Sequence, residues 1–389
     1  MNATRTPPSL HPRLTSSHPV DTAAPGPAPV RVCLIGPSLD ILGGQAVQLD
    51  RLRSRLEDTP GVTVGFIPVN PRLPVPLGSL QRIKYLRTVV TSLAYLTLLL
   101  RHARRYDVLH TFSPSYWAFL LGPVPALAIG RLFGCRVVLN YHSGEAEDHL
   151  RRWHGTVSIA RRFDRIAVPS AYLRDVFAAF GLEAVAIHNF VNADAIPFRE
   201  RAAPRPVFLS NRNLEPMYNV ACCIRAFARI QAGIPDARLV VSGFGSQRAE
   251  LEALVAQLRL RQVRFTGRVA PDEMGRLLDA ADILLNSPDI DNMPLSLIEA
   301  QAAGLPIVST STGGIPHVVS HERTGLLVPP GDDAGIARAA LRLVEEPGLA
   351  LRLSRQARAD CLDRFSWQAV QGEWVRFYRD LVPLPTRAR

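Results

Sequence analysis

The sequence predicts an α/β protein made of two doubly wound parallel sheets, one after the other. Short apolar runs of strand length alternate with helical segments through the first half and again through the second, the pattern of parallel strands joined by crossover helices. A proline- and arginine-rich stretch, Pro197 to Pro206 (PFRERAAPRP), reads as a linker between the halves. The length of 389 residues suits two domains of ordinary size, and 47% hydrophobic with 20% charged residues suits a packed chain. The expected boundaries are a tail at 1–29, a first domain at 30–200, a second at 201–365, and a C-terminal segment at 366–389 that docks back.

Residues 1–29 are rich in Pro, Ser, Thr and Ala without periodicity and are expected to be disordered. From Val30 the run VRVCLIG is a buried strand, followed by PSLDILGGQ and a helix from about Ala46 to Leu56. Strand, glycine pair and helix start form the phosphate-facing unit of a doubly wound sheet, with Gly43 and Gly44 letting N–H groups reach an oxyanion. The GxGxxG pattern is absent, so no dinucleotide fingerprint is supported.

Segment 78–105 is helical, with an apolar centre flanked by Arg82, Lys84, Arg87, Arg101, Arg104 and Arg105. It fits a core helix with basic ends, or a helix resting on an anionic membrane surface. DVLHTFS and CRVVLNYH read as the fourth and fifth strands. His142 closes the latter, followed by Ser143, Gly144 and Glu145, at the strand end where open α/β sheets bind ligands. DRIAVPSAYLRDVFAAFG adds a strand and helix, and AVAIHNFVNADAIPF a last strand with a turn at Asn189 to Asn192.

The second half repeats the alternation. Strand VFLSN precedes a helix from about Val220, strand ARLVVSGFG a helix from Gln247, strand VRFTG the helix PDEMGRLLDAA, and strand DILLNS a polar loop. Three helical segments end the chain, and Trp367, Trp374 and Phe377 are expected to dock the last of them.

The stretch Asn286 to Val319 carries most of the chemistry. It reads as a loop, a helix from about Leu295 to Ala303, the stop Gly304, and an apolar strand. Free N–H groups at Leu295 and Ser296 suit a phosphate. Asp291 and Glu299 stand eight residues apart, which lets the loop carboxylate return to the helix face that carries Glu299. Paired acids near a helix start are also commonly capping or solvated groups. Here they lie in apolar sequence, and Gly313-Gly314 after the next strand would let backbone approach a ligand.

A net charge of +11 and a pI near 10.1 favour anionic partners. The charge is dispersed arginine, without a lysine block or aromatic-interleaved motif, so a nucleic-acid partner is not expected. The five cysteines form no CxxC pair and no metal-ligand spacing with histidine, so buried, reduced thiols, no metal and no cofactor are expected. No early run suits a signal peptide, and the longest apolar run, Thr88 to Leu100, falls short of a span of about 20 residues.

VRFTGRV, ADILLNSP, DNMPLSLIEAQAAGLPIVST, GGIP and TGLLVPPGD follow one another between Val263 and Asp332 in an order and spacing that resemble the retaining glycosyltransferases of family 4 (glycosyltransferase group 1). The resemblance runs from Val30 to about Leu381. It implies the GT-B fold, two facing doubly wound domains with a nucleotide sugar in the cleft. Glu299 matches the second acid of the family's E-x7-E motif, which holds the donor ribose. Asp291 matches the first, normally Glu, which contacts the transferred sugar. Gly43-Gly44 is similar to the loop beside the donor phosphates, His142 resembles the histidine near the transferred sugar, and Arg212 matches the arginine of the first C-domain loop. Asn292, Met293, Pro294, Leu295 and Ser296 complete the donor-side expectation. The lysine that usually follows the arginine is replaced by Met217, Tyr218 and Asn219, and His317 stands after GGIP where Glu is common.

The resemblance implies a metal-independent hexosyltransferase acting with retention on a UDP- or GDP-sugar. A role in polysaccharide or glycoconjugate biosynthesis follows, with an unidentified glycan, lipid or small-molecule acceptor. The expected location is the cytoplasm, peripheral to the inner face of the membrane. A nucleotide-sugar epimerase of the same fold, or a non-catalytic partner protein that has lost phosphate chemistry, are the alternatives. A nucleic-acid binder would instead show strongly salt-dependent affinity.

Overall fold

The computed structural model describes residues 28–382, apart from 42, 75–77, 79–80, 82 and 84–85. The tail expected at 1–29 lies outside the described residues as far as residue 27, as do Arg82 and Lys84.

The first half contains β1 (Val30–Gly36), α1 (Gly44–Glu57), β2 (Val62–Pro68), α2 (Leu86–His102), β3 (Val108–Ser113), α3 (Trp117–Leu121), α4 (Pro123–Leu132), β4 (Arg136–Tyr141), α5 (Ala146–Arg152), α6 (His154–Ala160), β5 (Arg165–Val168), α7 (Ala171–Ala179) and β6 (Val185–Ala186). Its strands pair in parallel in the order β2-β1-β3-β4-β5-β6. The second half contains β7 (Val207–Asn211), α8 (Val220–Gly233), β8 (Arg238–Ser242), α9 (Arg248–Gln257), β9 (Val263–Gly267), α10 (Met274–Ala280), β10 (Ile283–Asn286), α11 (Leu295–Ala302), β11 (Ile307–Thr310), α12 (Ile315–Val318), β12 (Leu326–Val328), α13 (Asp333–Glu345), α14 (Leu349–Arg364) and α15 (Trp367–Arg379). Its sheet is also parallel, in the order β12-β11-β10-β7-β8-β9.

Strand order reverses between β1 and β3 in one sheet and between β7 and β10 in the other. Crevices open outside the carboxyl ends of strands at such reversals. The loops there carry Gly43-Gly44 in the first sheet and Arg212 and Asp291 in the second, so topology puts each motif at the crevice of its own sheet.

Helix α15 leaves the second half and packs on the first sheet. Trp367, Trp374, Phe377 and Tyr378 are buried with Val32, Leu34 and Leu49. The Tyr378 hydroxyl lies 2.7 Å from Nδ1 of buried His110 on β3. A second crossing runs beside it, where the Val191 N–H donates to the Phe365 carbonyl at 2.9 Å.

Three sequence expectations are corrected. Val62–Pro68 forms a strand, β2, that the sequence pattern does not announce, and DVLHTFS and CRVVLNYH are the third and fourth strands rather than the fourth and fifth. The helix expected over 78–105 covers Leu86–His102, followed by a 3-10 turn at Ala103–Arg105. The expected linker is a clamped strap. Arg201 is 1% exposed and donates to the carbonyls of Leu278, Ala281 and Ala303 at 2.8, 3.0 and 2.7 Å. Arg199 and Arg205 both pair with buried Asp282, at 2.9 and 2.8 Å. Arginine in a proline-rich run suggests solvent, but a guanidinium can satisfy several buried carbonyls at once.

Candidate active site

A cavity of about 430 Å³ lies between the two sheets. Two helix starts face it. Helix α1 begins behind Gly43 and α11 behind Pro294, and neither has a side chain capping its N-terminus. A Cβ built on Gly44 would lie 4.0 Å from Leu295 Cδ1, so the two uncapped starts are neighbours. Their free N–H groups and aligned dipoles suit an anion between them.

Arg212 follows β7 and is the pivot of the second-domain wall. Its Nη2 donates to Asp291 Oδ2 at 2.5 Å and its Nη1 to Ser296 Oγ at 3.3 Å. The guanidinium lies 4.0 Å above the centre of the Tyr218 ring. Its Nε is buried without a partner in the described residues. Burial pushes the Asp291 carboxyl up, opposed by Arg212 and by the Asn292 N–H, which donates to it at 2.8 Å.

Glu299, one turn into α11, does not stand free. Its Oε1 accepts from Arg51 Nη2 at 2.6 Å, with 20% of the arginine and 7% of the glutamate side chain exposed. Arg51 belongs to α1 of the opposite half, so the pair spans the cavity. Asp291 and Glu299 do share the cavity wall, but each carboxylate is held by its own arginine.

From the first sheet, His142 lines the cavity, stacked on Phe112 with ring centres 5.1 Å apart. Its Nε2 is buried without a described partner, and burial drives its pKa down to about 3, so the ring is neutral at ordinary pH. Glu145 lines the same wall, and burial, then the charge of Asp148, raises its carboxyl.

Of the residues singled out in the sequence, Gly43, Gly44, His142, Arg212, Asp291, Met293, Pro294, Leu295, Ser296 and Glu299 line the cavity. Asn292 does not: it is buried, and its Oδ1 accepts from the Ser170 hydroxyl. Gly313 and Gly314 also serve another purpose than the one expected. A Cβ there would lie 2.0 Å from the Asp291 carbonyl oxygen and 2.1 Å from that of Asn292, so these glycines admit the acid-bearing loop rather than a ligand.

Sequence reasoning missed Arg51 and Arg268, both on the cavity wall, the latter 4.3 Å over the Phe244 ring. Arg51 had a signal. It stands seven residues after Gly44, two helical turns along the same face. Among the described residues no group of three His, Cys, Asp or Glu side chains is assembled to hold a metal ion, and no helix is long and apolar enough to cross a membrane.

Residues 193–360 match the family model described as glycosyl transferases group 1, and residues 42–195 match that of glycosyltransferase family 4. The glycogen synthase of Mycobacterium tuberculosis is 30% identical over 70% of this chain and 69% of its own. The phosphatidyl-myo-inositol mannosyltransferase of Mycobacterium leprae is 27% identical over 70% and 73%. Among solved structures, the Anabaena protein HepE with UDP and glucose superposes with a TM-score of 0.71 at 18% identity, over 90% of this chain and 100% of that one. Sucrose-phosphate synthase from Thermosynechococcus elongatus gives 0.74 at 22%, over 90% and 99%. These two likenesses establish the two-domain GT-B architecture.

Proposed function

Because this chain belongs to the glycosyl transferases group 1, enzymes of GT-B fold, we propose that it transfers a sugar, with retention, from a nucleoside diphosphate donor. The donor is a UDP- or GDP-sugar, no metal takes part, and the enzyme serves polysaccharide or glycoconjugate synthesis in the cytoplasm, peripheral to the membrane. One observation carries the reading: two uncapped helix starts, Arg212 and two acids meet in a single cavity between the sheets.

In the reaction the bond from the anomeric carbon to the diphosphate oxygen breaks and its electron pair leaves with the nucleoside diphosphate. A bond from the acceptor oxygen to the same carbon forms, and the hydroxyl proton leaves with the diphosphate. Negative charge therefore grows on the leaving oxygen. The N–H groups at Gly44 and at Leu295-Ser296 meet it, together with the Arg212 guanidinium. Glu299 accepts the ribose hydroxyls and Asp291 faces the transferred sugar. His142, neutral, exchanges hydrogen bonds with that sugar. Since Asp291 and Glu299 are each paired with an arginine, neither is a free nucleophile, and the two-carboxylate scheme of retaining hydrolases is not required.

A panel of UDP- and GDP-sugars, with nucleoside diphosphate release and product mass measured in the presence and absence of EDTA, tests the reading. Release from at least one donor, unaffected by EDTA and giving a product of unchanged anomeric configuration, is expected. Failure to bind or cleave any of them would sink the transfer reading, an inverted product the retention, and rescue by Mn2+ the metal independence.

A further inference from the structure

In a parallel sheet every strand delivers its C-terminal loop to one edge. In the first half that edge faces the cavity, and several large apolar side chains stand in solvent there, while Leu100, Leu132 and Phe133 are exposed toward the opposite edge. Ile41 follows β1, Val89 and Leu93 lie on the first half of α2, and Trp117 and Leu121 on α3, with exposures from 43% to 68%. Helix α2 is apolar on two sides: Tyr95 and Leu99 fill the core while Val89 and Leu93 point away from it. The Tyr95 hydroxyl donates to the Gly122 carbonyl at 2.9 Å, which fixes α2 against the corner between α3 and α4. Single exposed apolar residues need no explanation, but a collection on one edge marks an interaction surface.

Charge selects its occupant. Arg87 at the start of α2, and Arg101, Arg104 and Arg105 at its far end and in the turn after it, are exposed with no acidic partner among the described residues, so the basic side chains bracket the length of the helix rather than gather at the cavity-facing edge. No Asp or Glu occurs between residues 78 and 105. The chain's own first 27 residues would cover this face poorly, since they hold Arg5 and Arg13 against the single acid Asp21, with few bulky apolar residues. An apolar stripe with basic flanks matches an anionic bilayer, which takes the side chains into its acyl boundary and the arginines at its head groups.

We propose that the acceptor is a membrane-borne amphiphile. The apolar edge rests in an anionic bilayer, and the acceptor's hydroxyl-bearing head group passes from it into the cavity beside His142 and Glu145, while its apolar part stays in the lipid. This rests on the glycosyl-transfer reading, because it names the acceptor of that site. Glu145, a cavity-lining carboxylate that is not tied to an arginine in the described ion pairs, is placed to accept from an incoming hydroxyl.

The full chain is sedimented with phosphatidylcholine vesicles with and without phosphatidylglycerol, at low salt, beside the variants Leu93→Asp and Trp117→Ala. Recovery is expected with the anionic vesicles only, and Leu93→Asp and Trp117→Ala are each expected to cut it about tenfold or more, since a solvent-exposed apolar side chain can no longer enter the acyl boundary. In parallel, radiolabelled UDP-glucose and GDP-mannose are supplied with membranes or with cytosol from cells that make the protein, and the product is partitioned between organic and aqueous phases. Label in the organic phase, lost in Leu93→Asp while acceptor-free donor hydrolysis is unchanged, supports the proposal. Equal recovery on both kinds of vesicle, unimpaired recovery of Leu93→Asp, or label confined to the aqueous phase overturns it. Vesicle binding without nucleoside diphosphate release from any donor would sink the transfer reading and, with it, this choice of acceptor, leaving only the membrane contact.

Discussion

Arg51 Nη2 donates to Glu299 Oε1 at 2.6 Å, joining a helix of one domain to a helix of the other across the cavity. If Glu299 receives the donor ribose, the hydroxyls meet a carboxylate whose Oε1 is already engaged by Arg51 and compete with it there. In Arg51→Met the buried carboxylate loses its partner, which costs about 3 kcal/mol where such pairs are broken. The variant should therefore unfold more readily without ligand. It should also bind donor more tightly than the wild type, because the hydroxyls no longer compete with a guanidinium. Thermal unfolding with and without UDP or GDP measures both. Unchanged stability would mean that the pair does not form in solution, and weaker binding that Arg51 itself holds the donor.

Glu299→Gln addresses the other partner. A carboxylate accepting two hydroxyls contributes roughly 1.5 to 3 kcal/mol for each charged bond, so donor affinity should fall by about tenfold or more while the circular dichroism spectrum is retained. Isothermal titration with nucleoside diphosphate and with the full donor separates the ribose contribution from the sugar contribution. Wild-type affinity for both would remove Glu299 from the ribose site.

The line of motifs was legible because the chemistry of this fold is concentrated in short loops. Gly304 illustrates it: a helix stop followed by an apolar run announces α11 and β11 without help from the rest of the chain. In the structure Gly304 has φ +66°, and a Cβ there would meet the Phe198 ring at 2.6 Å. What stayed hidden depends on contacts between distant segments. Arg51 and Glu299 are 248 residues apart, and no local pattern announces their pairing. The strap at 199–205 misled for the same reason, since Arg201 looks solvated until the carbonyls of Leu278, Ala281 and Ala303 are seen around it. Gly313-Gly314 suggests an opening for a ligand because sequence shows that a Cβ is missing but not which backbone fills the space.

His110 supplies a pH dependence. It is fully buried on β3, and burial, with a smaller contribution from His142, lowers its pKa to about 3. The unfolded chain titrates near 6.5, so between these values it binds a proton that the folded chain refuses. Stability is full above pH 6.5 and declines as the pH falls through that window. At about 1.4 kcal/mol per pH unit, the loss on going from pH 7 to pH 5 is about 2 kcal/mol from this residue. Urea unfolding of the wild type and of His110→Gln at both pH values measures it. The variant should lose less than the wild type by roughly that amount, and equal losses would show that His110 is not held neutral.

The Arg212–Tyr218 stack decides how the missing lysine is compensated. A diphosphate leaving group carries more charge than one helix start can meet, since a macrodipole supplies only about half an elementary charge. Arg212 sits between the start of α11 and the acid loop, already oriented by Asp291 and Ser296 and by the Tyr218 ring beneath its plane, 4.0 Å away. A planar fork so held keeps a second N–H on each Nη nitrogen, beyond those given to Asp291 and Ser296, with which to meet phosphate oxygens with little further ordering. Arg212→Ala should therefore abolish turnover, and Arg212→Lys should restore little, because an ammonium neither stacks as a plane nor binds bidentately. Tyr218→Phe keeps the ring and should stay near wild type, whereas Tyr218→Ala loses a cation–π contact of about 1 to 2 kcal/mol and should lower kcat/KM about tenfold. Tyr218→Lys would put back the family's usual charge only by removing the platform and setting a like charge against Arg212, so it should weaken donor binding rather than strengthen it. Steady-state kinetics on the five variants with one accepted donor give the answer. If Arg212→Ala kept more than about a tenth of wild-type kcat/KM, a loss below roughly 1.4 kcal/mol, the leaving-group charge would have to be met elsewhere. Arg51 and Arg268, the other arginines on the cavity wall, would then be the residues to replace next.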